Sequence, residues 1–187
     1  MRRQLLAGLG MVLVFTVLTG LAYPLAVTGI AQAIFPDQSN GSLVERDGRV
    51  VGSRLVAQPF TQPQYFHPRP SAVEYDATDS GGANWGATNP DLLASVEANA
   101  SEYREVNGVG EDEPVPVDAV AMSSSGLDPH ISIANAHVQA PRVSKARGKA
   151  VEEVLRLVDE YTDGRAFGFL GEPGVNVLEL NLALDDL

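Results

Sequence analysis

The chain has no cysteine among its 187 residues. Disulfide bonds, thiol nucleophiles and cysteine metal sites are therefore excluded. Domains that lie outside the cytoplasm are often stabilised by disulfides. If this chain has such a domain, its apolar core and its contacts with partners must stabilise it instead.

Charge is absent from a long segment near the amino terminus. No Asp, Glu, Lys or Arg lies between Arg3 and Asp37, and the segment is mostly Leu, Val, Ala, Ile and Phe. About 20 apolar residues in a helix cross a hydrocarbon core of about 30 Å. The segment predicts a transmembrane anchor over residues 1–36, followed by one domain over residues 37–187. A cleaved signal peptide is the alternative, although a signal's apolar core is usually only about 7–15 residues long.

The basic residues that flank this segment predict its orientation. Arg2 and Arg3 precede it, and Lys and Arg beside a span tend to stay in the cytoplasm. We therefore expect a single-pass protein of the cell membrane with a cytoplasmic amino terminus and an extracytoplasmic domain. Pro24, together with the Gly and Thr residues of the segment, favours a helix that packs on other membrane subunits.

Basic residues are scarce after the anchor. Of 13 Lys and Arg residues, Arg2 and Arg3 precede the apolar segment, which leaves 11 basic against 24 acidic residues and a net charge of −13. This balance excludes nucleic acid as a partner, because phosphates need basic side chains. Two interpretations remain open: a solvated surface adapted to high salt, or a field that gathers cations near an uptake path.

Several catalytic patterns are missing or incomplete. Ser125, Asp128 and His130 contain the residue types of a hydrolase triad, but no Gly-x-Ser-x-Gly elbow is present and Pro129 separates the acid from the base. His67, His130 and His137 lack the close spacing of a zinc site. No Walker motif occurs. We therefore expect no catalytic residue, no metal site and no tightly bound cofactor.

The residues after the anchor predict a mixed α+β domain. Asp47-Gly48 favours a hairpin between two short strands, and the prolines and aromatics of residues 58–70 indicate a structured loop. Apolar spacing and capping residues predict three helices: one that opens at Asn89 and ends before a connector over residues 107–116, and two over residues 134–139 and 149–162. We expect a buried strand over residues 117–122 and a second one at the tail, where leucine alternates over residues 178–184.

Several motifs in a fixed order carry a resemblance. They are Gly52-Ser53 with Gln58 and Phe60, Tyr65-Phe66-His67-Pro68-Arg69-Pro70-Ser71, Ser80-Gly81-Gly82, Asn89-Pro90, Ser125-Gly126-Leu127-Asp128-Pro129-His130-Ile131-Ser132, Gln139, Arg142-Val143 and Val175-Asn176-Val177-Leu178-Glu179-Leu180-Asn181. With these motifs, nearly the whole chain resembles the C subunit of the Kdp potassium-transporting P-type ATPase.

The resemblance implies a non-catalytic accessory subunit that is needed for assembly and activity of a complex. Its implied partners are a channel-like potassium-binding subunit, a P-type ATP-hydrolysing subunit and a small single-span subunit. The family proposal is a catalytic chaperone that raises the ATP affinity of the hydrolysing subunit, with Gln139 at the nucleotide.

The predicted orientation conflicts with that role, because ATP is cytoplasmic and Arg2 and Arg3 place Gln139 outside. We therefore prefer an external cap on the channel-like subunit. The candidates for its contact surface lie in two segments, and internal support of the domain is the alternative role for each: Tyr65, Phe66, His67 and Arg69 in the first, Ser125, Asp128 and His130 in the second.

Overall fold

The computed structural model describes residues 1–187, which divide into two compact units, Met1–Leu43 and Val44–Leu187. The first unit is dominated by a continuous helix, Arg2–Ile34, that is long and apolar enough to cross a membrane. It consists of α1 (Arg2–Phe15), a π-helical segment (Thr16–Ala22) and α2 (Tyr23–Ile34), and it is followed by α3 (Pro36–Ser39). An apolar helix of this kind suggests a single-pass association with a membrane.

The π-helical segment immediately precedes the proline of the span. Pro24 has no backbone N–H, so a regular helical hydrogen bond is lost at this point. A wider turn is one way in which membrane helices accommodate such a loss. The hydroxyl of Thr19 donates to the carbonyl of Phe15 at 2.6 Å, and the helix continues without a break.

The second unit is an α+β domain, as the sequence predicted. A hairpin of β1 (Leu43–Arg46) and β2 (Arg49–Ser53) turns at Asp47 and Gly48, which both have positive φ. The remaining elements, in chain order, are α4 (Pro90–Asn107), α5 (Val117–Val120), β3 (His130–Ile131), α6 (Ile133–Arg147), α7 (Val151–Glu160), β4 (Thr162–Asp163), β5 (Gly174–Asn176) and α8 (Val177–Leu184).

A small antiparallel sheet lies beside the helical core. Its strand order is β3-β5-β4, with Ile131 opposite Val175 and Thr162 opposite Val175 on the other side. Helices α6, α7 and α8 pack with β5 around a buried apolar cluster. Phe66 enters this cluster from the loop of residues 58–70, which has no helix or strand, as its proline density predicted.

Two predicted strands are helical in the structure. Val117–Val120 forms the short helix α5, which starts directly after Pro116. The tail, predicted as a strand, is the helix α8, capped by the Asn176 side chain, which accepts from the backbone N–H of Glu179 at 3.2 Å. Helix α8 is buried on most of its circumference, so leucine at every second position is compatible with it. A helix that is buried on all sides has no polar face, and the sequence then lacks the pattern that reveals the helical period.

Two of the three predicted helices have boundaries close to the observed ones, and the third does not. Helix α4 ends at Asn107 and α7 spans Val151–Glu160, near the predicted limits. Helix α6 does not end at Gln139, as predicted. It continues through Pro141 and ends at Arg147.

Candidate functional site

Two buried amide side chains hold the loop of residues 58–70, called here the Pro-rich loop. The Asn181 side chain accepts from the N–H of Phe66 at 2.8 Å and donates to its C=O at 2.9 Å. Gln139 does the same for His67, accepting at 2.7 Å and donating at 3.1 Å. Two successive residues therefore have backbone groups paired as they would be in a sheet, although no strand is beside them.

Gln139 has no hydrogen-bonding capacity left. Its NH₂ group donates to His67 and, at 2.9 Å, to Asn135, while its oxygen accepts from His67 and, at 2.7 Å, from Arg142. An amide side chain offers two donors and two acceptor positions, and all four are used. The side chain is 1% exposed, so the structure places it as an internal support of the Pro-rich loop.

Arg142, one helical turn after Gln139, ties the Pro-rich loop to the end of α4. It donates to the carbonyls of Pro63 at 2.6 Å and Tyr65 at 2.9 Å, and to the side chain of Asn107 at 2.9 Å. All of its partners are neutral. Burial lowers the pKa of Arg142 to about 10, because water is removed from the guanidinium group.

Gln139 and Arg142 line a cleft of about 580 Å³ between the Pro-rich loop and the helices α4 and α6. The side of the cleft that they form is called its floor here. Tyr103 of α4 reaches the floor and donates to the Asn135 side chain at 2.8 Å. Burial is the main cause that raises the pKa of Tyr103, and the Asp118 carboxylate adds to it. The polar groups on the cleft floor are thus engaged with one another.

The carboxyl end of α8 is fixed by arginines. Arg147 donates to the carbonyl of Leu184 at 2.5 Å and to the Asp185 carboxylate at 2.8 Å, and its guanidinium lies 5.1 Å from the centre of the Tyr65 ring. Arg46 of β1 contacts Asp186 and Asp185. Cations at this position compensate the negative end of the helix dipole.

The second predicted segment, residues 123–132, forms a turn that we call the serine turn. Ser123 and Ser125 share a hydrogen bond of 3.2 Å, and their hydroxyls accept from the backbone N–H groups of Asp128 and Leu127. The same turn receives the motif Ser80-Gly81-Gly82, since the Ser125 carbonyl accepts from Gly81 at 2.9 Å. Gly126, at φ +70°, and Gly82 have no room for a side chain here.

The Pro-rich loop and the serine turn meet through an ion pair and through a backbone hydrogen bond, in which the N–H of Ser123 donates to the carbonyl of Pro70 at 2.9 Å. Arg69 donates to the Asp128 carboxylate at 2.7 Å, and the other oxygen of that carboxylate accepts from the N–H of His130 at 3.0 Å. The His130 ring lies 3.1 Å from the Asp163 carboxylate, whereas the Ser125 hydroxyl is bonded within the turn. The bonds of these side chains are those of a supported turn rather than of a catalytic triad.

The seven loop residues and Gln139 were predicted from the sequence, whereas the other helix residues that hold the Pro-rich loop were not. Asn181, which lies between the alternating leucines of the tail, is 1% exposed. The sequence predicted no site role for Arg142, Asn135 or Tyr103. An amide placed one turn before an arginine on one face of a helix, as Gln139 and Arg142 are, is the signal that could have identified the pair.

The fold defines a class of protein in which one long apolar helix precedes an α+β domain. The family model described as KdpC, K+-transporting ATPase, c chain, matches residues 5–186. The chain is 57% identical over 189 residues to the potassium-transporting ATPase KdpC subunit of Mycobacterium bovis, with all of both chains covered.

Two further relatives carry the same description. The chain is 53% identical over 180 residues to the KdpC subunit of Methylococcus capsulatus, covering 95% of this chain and 94% of that one. It is 49% identical over 188 residues to the KdpC subunit of Koribacter versatilis, covering 99% and 95%. The chain therefore belongs to the KdpC family, as the ordered motifs predicted.

Proposed function

We propose that this chain is a non-catalytic accessory subunit of an ATP-driven potassium uptake complex. In this proposal the helix Arg2–Ile34 stays in the membrane as an anchor, and residues 37–187 lie outside and cap a channel-like potassium-binding subunit. Membership of the KdpC family supports the place in such a complex. The partners would be that subunit, a P-type ATP-hydrolysing subunit and a small single-span subunit.

The observation that carries the orientation is the distribution of charge around the apolar helix. Arg2 and Arg3 lie at its amino-terminal end, and all 24 acidic residues follow it. Basic residues beside a span tend to stay in the cytoplasm, so this arrangement favours an external domain. An acidic external domain with a net charge of −13 would raise the local concentration of potassium ions at the uptake path.

The alternative function is a catalytic chaperone that raises the ATP affinity of the hydrolysing subunit. Gln139 would contact the nucleotide in that mechanism. Its four hydrogen bonds within the domain argue against this contact, because a ligand would have to displace Arg142 or the backbone of His67. The cleft above Gln139 is lined by one arginine and also by the carboxylate residue Glu102, which would repel a triphosphate.

The Pro-rich loop and the serine turn are suited to be the rigid face of a cap. Both are held by side chains of the domain, at His67 by Gln139 and at Asp128 by Arg69. A preorganised surface loses little conformational entropy on binding. We therefore propose that the exposed parts of these two segments contact the channel-like subunit while their buried parts support the domain.

The absence of cysteine makes the orientation directly testable. Ala98→Cys, at an exposed position of α4, would be labelled in intact cells by a maleimide reagent that cannot cross membranes. Gln4→Cys is the matched control and would be labelled only after the cells are opened. The opposite labelling pattern would refute the external cap and leave the ATP-linked role.

Membership of the complex has a separate test. A tagged chain extracted in mild detergent would bring down the other subunits of the transporter, and its deletion would abolish growth at limiting potassium. Recovery of the tagged chain alone, with normal potassium-limited growth of the deletion strain, would refute the accessory role.

A further inference from the structure

The connection between β4 and β5 forms a short apolar projection, residues 164–173, that we call the apolar finger. Every residue from Asp163 to Glu172 is exposed. At its tip, Phe167, Phe169 and Leu170 are 89%, 70% and 50% exposed. The other two phenylalanines of the domain, Phe60 and Phe66, pack in or against the core.

The apolar finger has a defined conformation. Ala166 and Leu170 exchange two backbone hydrogen bonds, each 2.9 Å long, and so close a three-residue tip. Below them, Arg165 and Glu172 form an ion pair at 2.6 Å. These contacts order the tip before any partner is present, which lowers the entropic cost of binding.

The backbone at the tip places a bulky residue in a conformation that favours glycine. Phe167 has φ +54°, a region that bulky residues with a Cβ rarely adopt. Gly168, at φ +82°, follows it. A glycine at position 167 would adopt this backbone without strain, whereas here the position carries an aromatic ring that is 89% exposed.

The surroundings of the finger decide between a lipid surface and a protein. Loops that insert into membranes are commonly flanked by Lys or Arg, which bind anionic headgroups. Here the one cation, Arg165, is paired with Glu172, and Asp163 at the base of the finger adds a further negative charge. With a net charge of −13 on the domain, a protein pocket with a basic rim is the better match.

We propose that the apolar finger is a docking element in which Phe167 and Phe169 insert into an apolar pocket, rimmed by Lys or Arg, on another subunit of the transport complex. This inference rests on the accessory role proposed above. Aromatic side chains at the centre of an interface commonly supply most of its binding free energy. The finger would then fix the domain on its partner in addition to the membrane helix.

The test compares two exposed apolar sites on the same domain. Phe167→Ala and Phe169→Ala are made in the tagged full-length chain, with Leu93→Ala, 62% exposed on α4, as the control. We expect the double finger variant to retain at least ten-fold less of the partner subunits after washing in mild detergent. The Leu93→Ala chain should retain them like the unchanged chain, and all chains should unfold at similar temperatures.

The occupant of the finger is identified with a fluorescent reporter. Leu170→Cys, labelled with an environment-sensitive dye in this otherwise cysteine-free chain, is added to a complex that lacks the subunit. A blue shift on assembly, without quenching by spin-labelled lipids, is the expected result. A reporter that stays water-exposed, is quenched by the lipids, or shifts with the concentration of the chain alone would overturn the proposal, the last two in favour of a bilayer or a second copy.

The two proposals fail in distinguishable ways. If the unchanged chain brings down no other subunit, the accessory role itself is wrong. If the unchanged chain brings them down and the finger variants do so equally, only the role of the finger is wrong.

Discussion

Gln139 is the residue that the family proposal places at the nucleotide, and its side chain makes four hydrogen bonds within the domain. Its side chain joins α6 to the backbone of His67, and it also receives a hydrogen bond from Arg142. This use of every donor and acceptor makes Gln139 a support for the Pro-rich loop. The residue type and position were evident in the sequence, but the four bonds depend on residues up to 72 positions away.

Replacing Gln139 by Leu should destabilise the protein rather than remove a ligand. The change leaves the N–H and the C=O of His67 without their hydrogen-bond partner, which costs about 2 kcal/mol or more in the free energy of unfolding. Denaturant titration of the full-length chain in detergent measures it. His137→Leu, on the exposed face of α6, is the control. Unchanged stability with a lost effect on ATP affinity would favour the chaperone mechanism.

The pH dependence of stability should report on His67. Burial, and next the Arg142 cation, lower the pKa of His67 below its usual value of 6.5. The unfolded chain takes up a proton more readily, and stability should therefore be full above pH 6.5 and fall as the pH drops below it. The limiting slope for one proton is about 1.4 kcal/mol per pH unit.

The His67 prediction is checked by unfolding experiments between pH 5 and 7. His67→Gln keeps a donor for the carbonyl of Gln62, which the ring contacts at 3.1 Å, and should flatten this part of the profile. His137→Gln, at an exposed site, should leave the profile unchanged. A profile that keeps its slope in the His67→Gln chain would assign the slope to another group.

At the scale of elements, α6 organises the site because it carries Asn135, Gln139 and Arg142 on one side. Its start is well specified: the Ser132 hydroxyl accepts from Asn135 and donates to Asp118 at 2.7 Å. Helix α6 continues through Pro141, although the general rule is that proline interrupts helices. The rule failed because Pro141 is exposed, while Ala140 and Val143 on either side are buried in the core.

Pro141→Ala should stabilise the protein. Proline in a helix interior costs about 3 kcal/mol relative to alanine, and part of that cost remains after the helix has adapted. We expect the free energy of unfolding to rise by about 1 kcal/mol or more, which is a shift of a few degrees in the melting temperature. Lys145→Ala, exposed on the same helix, is the control. A lower melting temperature for Pro141→Ala would mean that the proline is needed to direct Arg142.

At the scale of the whole molecule, charge dominates. With a net charge of −13 after the anchor, the domain repels itself, and this repulsion weakens when salt shortens the screening length from about 30 Å at 0.01 M to about 10 Å at 0.1 M. We expect the melting temperature of the full-length chain in nonionic detergent to rise over that range of KCl, but not with sorbitol of equal osmolality.

The matched variant for the salt prediction neutralises three exposed acids of one connector. Replacing Glu111 and Glu113 by Gln and Asp112 by Asn should reduce the dependence on KCl. An equal dependence in both chains would place the source of the effect outside the acidic surface.

The sequence by itself determined the apolar helix, the distribution of charge, the α+β class, the hairpin at Asp47-Gly48 and the irregular Pro-rich loop. Each of these depends on residues that are adjacent along the chain: an uncharged segment, a turn that favours positive φ, or a density of prolines. The order of the motifs also identified the family.

Only the tertiary structure decided the state of residues 117–120 and 177–184 and the partners of Gln139. Burial on most sides made α8 a helix although its leucines alternate, since the local pattern that separates helix from strand disappears when both faces are covered. The hydrogen bonds from Asn181 to Phe66 span 115 positions. Contacts between residues so far apart in the chain depend on how the helices and strands pack together. A local sequence pattern carries no information about that packing.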